Sequence, residues 1–244
     1  TCHGEDCYIF GDGVSIKSMD IKAFSDKKSI ACNFFPFHND FPNINCQYCV
    51  VAEPWWFSPF GGYRPMERDF LIATSKEYKD LIDQYSDRNY FINLSNYPFM
   101  RAENVFYMLK DIPDNRLADD FISKMTDCFE GVLRSSILLA IYLGFDRVFL
   151  VGCDYTHSPS RSHHWYEKGH GVFTEPLEYQ KEFFEIAKEY INICTITLDG
   201  TSPYIDSITY KEHTNLEPVY RENTSLIQEK YLKALSIWPG YKIY

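Results

Sequence analysis

The sequence contains no Gly-Lys-Ser/Thr P-loop and no third glycine to complete a dinucleotide fingerprint, so neither common phosphate-binding signature is present. No apolar run is long enough to cross a bilayer, and no stretch has the order of a signal peptide. The expectation is a cytoplasmic protein, with a further segment upstream of Thr1. Excess positive charge is also missing. At a net charge of −10 the chain is a poor bulk partner for nucleic acid. Only one Cys-x-x-Cys occurs, Cys46 to Cys49, with no second pair at zinc spacing, so no metal site is expected. The eight cysteines are scattered, several in apolar runs, as buried free thiols in a reducing compartment would be. No internal repeat is visible.

What is present is enough for one large core. The chain has 244 residues, 45% of them hydrophobic, which suits a single domain over residues 1–244. Aromatics reach 17%, with 19 Tyr and 19 Phe, serving either as core or as stacking surfaces for rings and sugars. The chain is organised around Cys7 to Ser15. An apolar run ends at Phe10, Gly11-Asp12-Gly13 breaks it, and Ser15 and Ile16 follow. This reads as strand, tight turn and short helix, a place where glycines admit a ligand to the backbone and free N–H groups favour an anion.

Further strands are expected over residues 28–33, 48–52, 70–73, 90–94, 147–151 and 193–198. Helices are expected over 75–85, 119–128, 131–143, 177–190 and 223–235. Gly144 reads as a helix C-cap. Alternating strands and helices give an α/β fold with a doubly wound, mostly parallel sheet. Asp12, Asn33, Glu53 and Asp154 then fall at successive carboxyl ends of strands, the edge at which such sheets bind ligands. Residues 156–173 form a polar excursion holding four of the seven histidines: His157, His163, His164 and His170. That concentration suits a mobile lid carrying a general base, a solvated loop, or a zinc site, although adjacent histidines point apart.

Three blocks carry a family resemblance. They are Gly11-Asp-Gly-Val-Ser-Ile-Lys-Ser-Met-Asp20; Ile30-Ala-Cys-Asn33 with Tyr48-Cys-Val-Val-Ala-Glu-Pro54; and Gly131 to Gly144 with Arg147 to Tyr155. In this order they resemble the small lid-bearing bacterial sialyltransferases and the MptE-like proteins related to 6-hydroxymethylpterin diphosphokinase. The resemblance implies a Rossmann-like, GT-A-like sheet with an inserted lid at about 156–173. It does not reach residues 201–244, a C-terminal helical tail.

The resemblance further implies an inverting glycosyltransferase. Such an enzyme moves a sialic acid-like or Kdo-like keto-sugar acid from a CMP-activated donor to a glycan acceptor, in bacterial lipopolysaccharide or capsule synthesis. Gly11, Asp12, Gly13, Ser15, Asn33, Glu53, Gly152 and Asp154 would hold the nucleotide. Tyr155 and Tyr166 would steady the leaving phosphate. His170, which follows a glycine shortly before the 177–190 helix, would be the base; His164 is counted with the catalytic residues, and His157, His163 and His164 are the alternatives for the base. No cofactor is required, because the donor carries a single phosphate.

Two departures stand out. Asp12 and Glu53 replace family asparagines, and the nearest counterpart of a family arginine is Arg134, inside its helix. Paired carboxylates suit Mg²⁺, which keeps open a diphosphokinase using ATP and Mg²⁺. A non-catalytic nucleotide- or carbohydrate-binding module is the third reading. The tail aromatics Trp238, Tyr241 and Tyr244, among Lys233 and Lys242, suit docking on the inner membrane, contact with a second subunit of a homo-oligomer, or ordinary packing.

Overall fold

A computed structural model describes residues 2–61, 65–108, 131–176 and 178–244. The expected helix over 119–128 lies outside the described residues. In chain order the main elements are β1 (Asp6–Phe10), β2 (Ser29–Cys32), β3 (Cys46–Val51), α1 (Pro65–Gln84), β4 (Asn89–Asn93) and β5 (Val105–Met108). They continue with α2 (Val132–Leu143), β6 (Arg147–Val151), β7 (Ser160–Ser162), β8 (Val172–Thr174), α3 (Tyr179–Ala187), β9 (Asn192–Thr197) and β10 (Asp206–Thr209). Three short helices follow: α4 (Tyr210–Thr214), α5 (Asn223–Leu226) and α6 (Glu229–Leu235).

Eight strands make one sheet in the order β10-β9-β6-β1-β2-β3-β4-β5, and every pairing in it is parallel. The α/β, doubly wound class expected from the sequence is therefore observed. β7 and β8 form a separate antiparallel hairpin. Strand order reverses at β1, which lies between β2 and β6, so the turns after β1 and β6 open beside each other.

A sheet covered on both faces needs apolar residues on both sides of each strand. In β1, Tyr8 and Phe10 join one cluster with Phe70, Tyr78, Leu81 and Ile82 of α1 and Leu232 and Leu235 of α6. The alternate residues Cys7 and Ile9 join the other, with Ile137 to Ala140 of α2 and Phe183 and Phe184 of α3. Each large side chain buried in this way contributes about 1.5–3 kcal/mol. Gly144 ends α2 at φ +83°, as a left-handed cap should.

One local expectation is corrected and two are sharpened. Residues 70–73 are helical, because the spacing of Phe70, Thr74, Tyr78, Leu81 and Ile82 buries one stripe of α1. The short helix expected after Gly13 is present as a 3-10 helix, Val14–Ser18, too short to carry much of a macrodipole. Residues 156–173 are firmly packed at their centre: Trp165, Tyr166 and Glu167 are buried. Trp165 lies against Phe35 and His38, and Asn223 Nδ2 donates to the Tyr166 carbonyl at 2.8 Å.

Candidate active site

Two glycine turns meet at the reversal point. Gly11 N donates to the Val151 carbonyl at 2.8 Å and Gly13 N to the Gly152 carbonyl at 2.7 Å. A Cβ on Gly13 would come within 2.5 Å of both the Gly152 carbonyl oxygen and the Asp154 carboxyl carbon, and one on Gly11 within 2.5 Å of the same oxygen. These glycines are required by contact between the two turns, as well as by any ligand above them. Gly152 itself has φ +68°.

Asp154 locks the turns together. Its Oδ2 accepts from Ser15 N at 2.8 Å, its Oδ1 accepts from the Ser15 hydroxyl, and His157 Nε2 lies 3.1 Å from Oδ1. Burial raises the carboxyl pKa of Asp154, against the pull of His157 and Ser15. Burial likewise lowers that of His157, while Asp154 opposes it.

Above the turns the cleft has two lobes. The smaller, about 220 Å³, is bordered by the turns at Gly11 to Gly13 and Gly152 to Tyr155, by Cys32 and Asn33, by the first residues of α2, and by His163, His164 and Gln180. The larger, about 410 Å³, is bordered by Glu53, Trp56, Glu67, Phe70, Leu71, Tyr166, Trp238 and Tyr241, among others. Asp12, Asn33 and His164 border both. Those three residues are the joint of the site.

Asp12 Oδ2 accepts from Phe34 N and its Oδ1 from Trp165 Nε1, both at 3.2 Å. Burial pushes its pKa up to about 6, although the neighbouring His164 and the two donors pull the other way. Asn33 sits at φ +39°, and its buried Oδ1 has no hydrogen-bond partner among the described residues. His164 is stacked on Tyr166 at 4.8 Å and 5°, and its Nδ1 lies 2.8 Å from Glu167 Oε1. That contact makes Nδ1 the donor and leaves Nε2 with its lone pair. Glu167 is buried, which opposes its ionisation, yet the bonds from His164 and the backbone N–H groups of Lys242 and His164 hold its carboxyl below the usual range. Burial pushes Tyr166 up and Tyr241 to about 12, so both phenols stay protonated at neutral pH.

A buried lysine ties this segment down. Lys17 Nζ donates to the Glu167 carbonyl at 2.9 Å, the Gly169 carbonyl at 2.7 Å and Glu222 Oε2 at 3.0 Å.

Of the residues expected from sequence, Gly11, Asp12, Gly13, Asn33, Gly152, Asp154, Tyr155 and His164 border the smaller lobe. Glu53 and Tyr166 border the larger. Ser15 borders neither and lies beneath, bonded to Asp154. His170 is exposed, stacked on Tyr220 at 3.9 Å, and borders neither lobe. Its carbonyl accepts from Arg161 at 3.0 Å. The adjacent pair His163 and His164 both border the smaller lobe, because His163 adopts φ +83°. Arg134 is buried, its Nε donating to Gln180 Oε1 at 3.2 Å.

Sequence reading missed Trp56, Glu67 and Phe70 as site residues. Trp238 and Tyr241, for which docking and ordinary packing were both open, border the larger lobe. Among the described residues, no group of three or more His, Cys, Asp or Glu could hold a metal ion, and no helix is long and apolar enough to cross a membrane.

No family model and no curated protein matches this chain. Solved structures do. The chain is similar to the sialyltransferase CstII from Campylobacter jejuni in complex with a substrate analogue, cytidine-5'-monophosphate, at 13% identity over 97% of this chain and 99% of that one, with a TM-score of 0.46. It is similar to CstII in complex with CMP-3FNeuAc at 14% identity, over 96% and 100% of the two chains, with a TM-score of 0.47. A third, CST-II with a trisaccharide acceptor and CMP, gives 12% identity over 96% and 99%, with a TM-score of 0.42.

Proposed function

We propose that this chain is an inverting glycosyltransferase that moves a keto-sugar acid, sialic acid-like or Kdo-like, from a CMP-activated donor to a glycan acceptor. The observation that carries the reading is the joint: two lobes meet at a histidine whose far nitrogen is held by a carboxylate. A two-substrate transfer fits this arrangement. The smaller lobe, over the glycine turns and the start of α2, suits the nucleotide, since N–H groups at the start of a helix of this length favour a phosphate. The larger, ring-lined lobe suits the acceptor.

In the reaction, His164 Nε2 takes the proton of the acceptor hydroxyl. That oxygen attacks the anomeric carbon from the side opposite CMP. The bond from that carbon to the phosphate oxygen breaks, and its electron pair leaves with CMP, inverting the centre. Glu167 fixes the imidazole tautomer and steadies the imidazolium that forms. Tyr155, beside Asp154, and the first N–H groups of α2 are suited to the leaving phosphate. The buried phenol of Tyr166 braces the His164 ring. Asp12 and Glu53 favour a second reading, the MptE-like diphosphokinase using ATP and Mg²⁺, because both carboxylates border the same lobe.

The test compares His164→Ala with His170→Ala, and CMP with ATP and Mg²⁺. His164→Ala is expected to lower CMP-donor turnover by about 10²–10⁴-fold with CMP affinity little changed. His170→Ala should stay within about two-fold, the size of effect expected of a surface position away from such features. Equal losses in the two variants would remove His164 from the role. Thermal stabilisation by ATP with Mg²⁺ but not by CMP would favour the diphosphokinase.

A further inference from the structure

His164, the base in the reading above, is held in place by residues from far along the chain. Its Nδ1 lies 2.8 Å from Glu167 Oε1, and its backbone N–H donates to the same oxygen at 2.9 Å. The other carboxylate oxygen, Oε2, accepts from the backbone N–H of Lys242 at 2.9 Å. Lys168 N in turn donates to the Lys242 carbonyl at 2.6 Å. Both backbone groups of Lys242 are therefore bonded to the pair Glu167 and Lys168, as a strap would be.

The strap is anchored on either side of Lys242. Ile243 is buried, and its carbonyl accepts from Asn223 Nδ2 at 3.0 Å, the same amide that donates to the Tyr166 carbonyl. On the other side, the Tyr241 ring lies 5.3 Å from the His164 ring at 75° and 5.2 Å from the Tyr166 ring at 73°. With Tyr166 stacked on His164, the imidazole has a ring from the strap on one side and a ring from its own segment on another.

A carboxylate turns easily about its last torsion. Fixing Oε2 on an N–H fixes the plane of the group, and with it the aim of Oε1 at the imidazole. Burial opposes the ionisation of Glu167, and the bonds from His164 and the Lys242 N–H outweigh it. With that N–H gone, the ring could take its Nε2–H form, in which the nitrogen meant for the acceptor proton is already occupied.

We propose that the backbone N–H of Lys242, with the Tyr241 ring beside it, is a positioning element for the base: it orients Glu167, and through Glu167 it keeps the lone pair of His164 on Nε2. This deepens the glycosyl-transfer reading and rests on it.

The experiment labels histidine nitrogens with ¹⁵N and reads the neutral His164 ring by NMR, its signals assigned with His164→Ala. Lys242→Pro removes the N–H. Replacing the Lys242 amide by an ester removes the same hydrogen with the side chain kept, and decides the matter where the proline variant fails to fold. In both, the ring should move from its Nδ1–H form towards the Nε2–H form. Turnover of a CMP-activated donor should fall about ten-fold or more, the scale of one lost hydrogen bond to a charged group, with KM for the donor and CMP affinity little changed. Lys242→Ala keeps the N–H and should keep the Nδ1–H form. An unmoved ring in the ester variant, a ring that moves in Lys242→Ala, or a moved ring with undiminished turnover would each overturn the proposal. If the parent turns the donor over and the ester changes neither ring nor rate, this inference alone falls. If the ring moves as expected but the parent itself turns over no CMP donor, the hold of the strap on His164 stands and the glycosyl-transfer reading falls.

Discussion

The two lobes are built in different ways. The smaller rests on turns that directly follow β1, β2 and β6, so its floor is fixed by the sheet and by glycines that let one turn touch the next. The larger is assembled from α1, the segment around Tyr166 and the tail, with residues as distant as Trp56 and Tyr241 on one wall. The first is backbone geometry, intolerant of added atoms. The second is a side-chain surface, which can change rings and charges without disturbing the sheet. Chemistry common to many substrates suits the rigid lobe, and selection among acceptors suits the adjustable one.

The largest effect should come from breaking the rigid lobe. Gly13→Val forces a branched side chain against the Gly152 carbonyl and Asp154. It should cost about 3 kcal/mol and abolish CMP binding with it, because the same contacts form the floor. Denaturant midpoints and calorimetry read both losses. A variant as stable as the parent that still binds CMP would refute close packing as the reason for glycine there.

A smaller effect sharpens the comparison at the joint. Burial raises the Asp12 pKa from 3.8 to about 6. The folded state therefore holds a proton that the unfolded chain releases, and Asp12's contribution to stability is lost as pH rises from about 4 to about 6. The shift corresponds to about 3 kcal/mol, reduced to about 2 kcal/mol because Asp12 is partly open to the cleft. Asp12→Asn should flatten that part of the stability-against-pH curve, leaving the part due to Asp154. An unchanged slope would show Asp12 to be ionised throughout.

The smallest effect tests the adjustable lobe. Trp238→Ala should weaken binding of methyl lactoside by about five- to ten-fold, roughly the 1 kcal/mol or so of one lost ring contact. CMP affinity should hold within about two-fold, the scale of change expected without a contact to the nucleotide. Equal loss of both ligands would mean that the lobes are not separable.

The same division governs what could be read from the sequence. Gly11, Gly13, Asn33, Gly152 and Asp154 were legible because each directly follows an apolar strand, and a parallel sheet brings such ends to one edge. Phe70 was misread because Phe70 to Ala73, taken alone, looks like a short strand; only the longer stripe from Phe70 to Ile82 reveals the helix. His170 was favoured for a neighbouring glycine and its distance from α3, which say nothing of direction. The available signal was Glu167, three residues after His164, a spacing at which a carboxylate reaches back to a ring. Trp238 and Tyr241 had no local signal at all, since their role depends on where the tail returns.

Lys17 has a consequence for the order of assembly. Its three hydrogen-bond partners lie 150, 152 and 205 residues further along the chain. Bringing such distant segments together costs loop entropy before any contact rewards it, and contacts of this span form slowly. A strand pair such as β2 with β3 closes a far shorter loop. The cleft is therefore a long-range structure: Lys17, close after the first strand, holds the Glu167 to Gly169 segment and Glu222 of the tail to it.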